Sequence, residues 1–179
     1  MKPTFSLLLV NILPFLLLGQ EVKNTSYVTS TGERVLRLES IVPVGKTEAW
    51  KSFCTEQGLK KWIAPVVSLD LKVGGLILTN YDSSKTVRDS GTIRLPILSY
   101  LEGEMITLKV ILNEDFAKKA REEDRNLQEI IQLVDLGNGT TKIISSMIGW
   151  GSGPEWDKTY NFFARGNEWT FRNLVKAFQ

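Results

Sequence analysis

The chain has 179 residues, with 22 Lys and Arg against 20 Asp and Glu, one cysteine and no histidine. That length suits one domain, which buries enough apolar surface to fold without disulfides or metals. The missing histidine excludes Ser-His-Asp and Cys-His nucleophile systems, histidine bases and His-ligated metal sites, while the single Cys54 excludes an internal disulfide, a thiolate zinc cluster and a CxxC redox pair.

Residues 1–19 place Lys2 ahead of an apolar run from Phe5 to Leu18, interrupted by Asn11 and Pro14. The run has the length of a secretory signal core and falls short of the roughly 20 apolar residues that a spanning helix needs. The sequence predicts an export signal cut between Gly19 and Gln20, giving a periplasmic or extracellular product with no stable membrane anchor after cleavage. Removing that segment takes away one lysine and leaves a net charge of +1. Basic and acidic residues are interleaved throughout, so no nucleic-acid partner is expected.

Residues 20–32 are polar and rich in Ser, Thr and Asn, which predicts a flexible tether ahead of a single domain over 33–179. Arg34 to Val42 alternates polar and apolar residues, the period of a strand with one buried face. Lys46–Phe53 and Glu56–Trp62 read as two short helices, with Thr55 as the N-cap between them. Strands are then predicted at Val66–Leu71, Gly75–Tyr81, Asp89–Leu95, Met105–Leu112, Leu127–Leu136 and Thr140–Ile148, separated by Gly-rich, Asp-Ser or Pro turns. Loops this short make consecutive strands antiparallel. Asn113 to Asn126 is densely charged and reads as a solvated connector, partly helical around Phe116–Arg121. The longest helical pattern closes the chain from Pro154 to Phe178, with Pro154 at a position that tolerates proline and Glu155 and Asp157 in the first turn. Trp156, Tyr160, Phe163, Asn167, Thr170 and Leu174 line one face, and Gly166 predicts a kink or a packing requirement.

Four segments in this order, VPVGKTEAWKSFCTEQGLKKWIAP, LDLKVGG, GTIRLPILSYLEGEMITL and GWGSGPEWDKTYNFFARGNEWTFRNLVKAF, resemble the helix-grip domains of the SRPBCC (START and pollen-allergen-like) superfamily. Within it they are similar to the group named after the activator of the heat-shock-protein-90 ATPase. The resemblance covers about Arg34 to Phe178. It implies an α+β fold in which a curved, seven-stranded antiparallel sheet grips a long C-terminal helix, with two short helices after the first strand. It also implies a cavity between sheet and helix that often holds an apolar small molecule.

Candidates to line such a cavity are Trp62, Leu78, Ile93, Leu108, Val110, Val134, Trp156, Tyr160 and Phe163, each of which would otherwise fill ordinary core. The glycine-rich GWGSGPEW before the helix invites a phosphate cradle, but its spacing is not that of a P-loop, no lysine follows, and two acids occupy the helix start. A turn is the simpler reading. Cys54 reads as a buried, inert thiol. The acidic pairs fall in turns and helix ends, and Asp70 and Asp89, inside predicted strands near apolar residues, remain as candidates for a carboxyl with a raised pKa. No catalytic residue, metal or cofactor is assigned. The expected function is an exported, non-enzymatic module that binds a hydrophobic small molecule. The alternatives are a histidine-free cyclase or hydrolase using Tyr160, Asp89 and Arg94 in the same cavity, or a protein-interaction domain using the sheet surface or residues 113–126. Ligand identity and oligomeric state are not fixed by the sequence.

Overall fold

The computed structural model describes residues 21–179, so the export-signal reading of residues 1–19 lies outside the described residues. The tether predicted over residues 20–32 is instead held against the domain from Val22 onward. Val22 is buried, while two-residue strands β1 (Lys23–Asn24) and β2 (Tyr27–Val28) pair with β3 (Arg34–Val42). The polar residues that suggested a tether make this possible. Asn24 Oδ1 accepts from the Ser26 amide and hydroxyl, and Ser26 Oγ in turn accepts the Arg37 amide. Ser, Thr and Asn side chains satisfy backbone groups locally in this way, so a polar composition is compatible with a fixed path.

Helices α1 (Lys46–Cys54) and α2 (Glu56–Lys60) follow. The predicted cap is present, with Thr55 Oγ1 accepting the Gly58 amide at 2.9 Å. A Cβ on Gly58 would collide with the Lys51 carbonyl, so glycine is what lets the two helices meet this closely. The remaining elements are β4 (Val66–Leu69), β5 (Leu76–Asn80), β6 (Ile93–Leu101), β7 (Met105–Lys109), α3 (Lys118–Glu123), β8 (Gln128–Gly137), β9 (Thr140–Ile148) and α4 (Pro154–Lys176).

All pairings are antiparallel, in the order β1-β3-β9-β8-β7-β6-β5-β4, with β2 also on β3. Among the described residues the sheet therefore has nine strands rather than seven, because the tether contributes β1 and β2. A second correction concerns β6. It begins at Ile93, not Asp89, and runs through Pro96 to Leu101. Proline fits because Ile97 donates toward β5, to the Gly75 carbonyl, so the nitrogen of Pro96 faces the other side, where the β7 ladder reaches only to Ile97.

Two apolar clusters hold α4 against the concave face. The C-terminal half of the helix, through Phe171, Leu174 and Val175, joins Leu38, Phe53, Leu59, Trp62, Ile77 and Ile143. The N-terminal half, through Trp156, joins Leu36, Val110, Leu127 and Met147, with Phe163 and Tyr160 packed alongside. Helix α4 passes unbroken through Gly166, whose missing Cβ would point into open space, so neither the predicted kink nor a packing requirement is found there. At the far edge of the sheet, Glu56 Oε1 accepts the Leu69 amide of β4 at 3.1 Å.

Candidate functional site: a cavity between the sheet and the long helix

Between the two clusters α4 stands off the sheet and leaves a cavity of about 590 Å³. Strand alternation decides what faces it. Ile77 and Thr79 point inward from β5, Ile93 and Leu95 from β6, Ile106 and Leu108 from β7, Glu129 and Ile131 from β8, and Ser145 and Met147 from β9. The roof comes from Phe163, Asn167, Thr170 and Phe171 of α4, and Phe53, Leu59 and Trp62 close one end. Its mouth lies among the exposed Phe162, Ile111 and Tyr81. Phe116 stacks on Phe163 with centroids 5.4 Å apart and meets Phe162 edge-on at 5.1 Å. The segment read as a solvated connector thus also supplies an aromatic side chain to the mouth, and α3 covers Lys118–Glu123 rather than Phe116–Arg121.

Of the nine residues proposed from sequence, Trp62, Ile93, Leu108, Val110 and Phe163 line the cavity. The other four do not. Leu78 sits on the opposite face of β5 from Ile77 and Thr79, and Val134 is exposed, because it shares strand parity with Gln128 and Gln132 rather than with Ile131 and Leu133. Trp156 is buried in the second cluster, where its indole N–H donates to Glu123 at 3.0 Å. Tyr160 lies under the Arg34 guanidinium, 5.0 Å from its ring centroid, and against Trp150. The set considered for catalysis is dispersed. Tyr160 is outside the cavity, Asp89 caps the Thr86 amide in an exposed turn, and Arg94 is an exposed residue on the cavity rim. Asp70 is likewise exposed and pairs with Lys72.

The residue that sequence reasoning missed is Glu129. It occupies the middle of the concave face, between Leu108 and Met147 on the neighbouring strands. Its Oε1 accepts the Ser145 hydroxyl at 2.6 Å, which is its sole hydrogen bond among the described residues, and no described cation pairs with it. Desolvation pushes its carboxyl up from the ordinary glutamate value, with the Ser145 hydrogen bond opposing. Partial desolvation at the mouth raises the pKa of the Tyr81 phenol too; the Thr170 hydroxyl opposes the rise and the Glu129 carboxylate adds to it. Asn167 Nδ2 approaches Met147 Sδ at 3.0 Å, setting its amide over the same floor. The chemistry available is an apolar envelope with one carboxyl and a few neutral polar groups, the usual make-up of a small-molecule site.

The glycine-rich turn before α4 serves packing. A Cβ on Gly151 would run into the Trp156 indole, Gly149 has φ 84° against the Asn126 carbonyl, and Asp157 is bound by Arg34 at 2.6 Å. The Cys54 thiol is half-buried and its pKa is raised by that burial. No group of three or more potential metal ligands and no helix long and apolar enough to cross a membrane occurs among the described residues.

No family model and no curated protein matches the sequence. Solved structures do. A conserved protein of unknown function, EF2215 from Enterococcus faecalis, aligns with a TM-score of 0.61 at 13% identity, over 86% of this chain and 75% of that one. CalU16 from Micromonospora echinospora aligns at 0.61 and 15% identity, over 90% and 76%. The Aha1 dimer from Colwellia psychrerythraea aligns at 0.59 and 14% identity, over 80% and 95%. These likenesses show the fold alone: the chain shares with these structures, the Aha1 dimer among them, an α+β helix-grip architecture in which a large antiparallel sheet packs on a long C-terminal helix.

Proposed function

We propose that this protein binds a hydrophobic small molecule between the sheet and α4 without transforming it, and that it does so as an exported protein freed of residues 1–19. The cavity of about 590 Å³ carries the binding reading, because close packing is the norm for interiors and an apolar space this size is large enough for a drug-sized ligand. The dispersal of Tyr160, Asp89 and Arg94 favours binding over catalysis. The helix-grip architecture supports it by analogy. The export reading rests on the apolar run from Phe5 to Leu18.

Native mass spectrometry of the protein, purified gently from the exported fraction of its own host, tests both parts. The expected result is a chain beginning at Gln20 that carries a reproducible extra mass, lost on denaturation. A bare chain would count against retained ligand. Recovery only from the cytosol with residues 1–19 intact would overturn the export reading.

A further inference from the structure

We propose that the ligand is an apolar amine whose protonated nitrogen seats on Glu129. This rests on the cavity-binding reading and specifies its ligand class. The argument begins with charge. Of the charged residues along the cavity wall, Arg94 and Asp115 are exposed at its rim, and Glu129 alone stands on the floor. Glu129 is half-buried and opens onto the cavity, so an apolar ligand seated there would strip water from its carboxylate, which is costly unless the ligand pairs with it. Glu129 has one hydrogen bond, from Ser145, and its second oxygen receives none from any described residue.

The groups facing Glu129 leave room for one kind of complement. Leu108 of β7 and Met147 of β9 flank it, Ser145 donates to it, and Asn167 and Thr170 look down from α4. The titratable neighbour is Tyr81, itself a weak acid that adds no positive charge. An alkylammonium supplies both the missing cation and several donors, while the apolar body fills the space bounded by Phe53, Trp62, Phe163 and Phe171. The aromatic faces add to the preference for a cation over an anion. A fatty acid would instead set a second carboxylate against Glu129. The same residue therefore selects for amines and against the commonest apolar anions.

The test uses the full chain and three probes with one tail: decylamine, decanol and decanoate, titrated by calorimetry near neutral pH. Decylamine is expected to bind at least about tenfold more tightly than decanol, with decanoate weakest. The E129Q variant should lose that amine preference, its decylamine and decanol affinities coming to lie within about twofold of each other. Equal binding of amine and alcohol, tighter binding of decanoate, or an amine preference that survives E129Q would each overturn the amine assignment and leave the cavity reading standing. Failure of all three probes to bind would overturn both. Should E129Q not fold, the unaltered protein decides the matter. Decylamine stays protonated from about pH 8 to about pH 4, so its affinity should fall with acidification as Glu129 takes up a proton, with decanol unchanged. A decylamine affinity that does not change with pH would overturn the assignment.

Discussion

At the scale of single residues, Glu129 ties the stability of the ligand-free protein to pH in a definite direction. Burial raises its carboxyl pKa above the unfolded value, so the folded state prefers the protonated form. Its contribution is fully present below the unfolded pKa and is lost as pH rises through the folded one, at up to about 1.4 kcal/mol per pH unit across that interval. Chemical denaturation from acid to neutral pH should show the unaltered chain losing stability relative to E129Q as pH increases; a difference independent of pH would mean that the group titrates normally. Glu39 behaves oppositely: hydrogen bonding by Lys142 leads the causes that lower its pKa, so its stabilisation is lost as pH falls. Glu129 was half legible in the sequence: its strand was, the face it occupies was not. Leu127, Glu129, Ile131 and Leu133 share one parity, and the fully buried Leu127 and buried Ile131 fix that face as the concave one. Reading Val134 as inward took the wrong parity of the same strand, and Leu78 was misplaced for the same reason. A single strand carries two interleaved patterns, and QEIIQLVDL is apolar enough on both to hide which one faces the core.

At the scale of elements, α4 contains a position left unoptimised. Gly166 is exposed, has ordinary helical surroundings and leaves open space where a Cβ would stand. Gly166→Ala should therefore stabilise the protein by about 1 kcal/mol, raising Tm by about 2–4 °C in a thermal melt. A lower Tm would show that the helix needs glycine there for a reason that packing does not reveal. The helices and the β8–β9 hairpin were legible because their signals are local: a cap at Thr55, a proline at the first turn of α4, and Gly137-Asn138-Gly139, all with positive φ, at the turn. The strand through Pro96 and the two short strands of residues 23–28 were not. Whether a proline interrupts a strand depends on which neighbour its nitrogen faces, and whether a polar segment is held depends on a partner edge distant in sequence.

At the scale of the whole molecule, the helix and sheet meet at both ends of α4 and part in the middle. That arrangement lets the two apolar clusters hold the fold while the space between them stays open, so the lining of that space and the folding of the chain can change separately. The order of the main strands and the gripping helix could be read from turns and spacing, whereas the cavity could not, because it depends on how far two packed layers stand apart. The edges of the sheet have a further consequence. An open strand invites a second molecule to extend the ladder, the route to stacking and fibres. Here one margin is occupied by β1 and β2, too short to template much, and at the other the Glu56 side chain takes the Leu69 amide that an incoming strand would need. Removing this guard by Glu56→Ala should increase concentration-dependent self-association in light scattering, with a melting temperature close to that of the unaltered chain; unchanged scattering would show that β4 is protected by something else. A sheet that carries an oily hollow on one face thus has its outer β4 ladder already engaged by a side chain of its own.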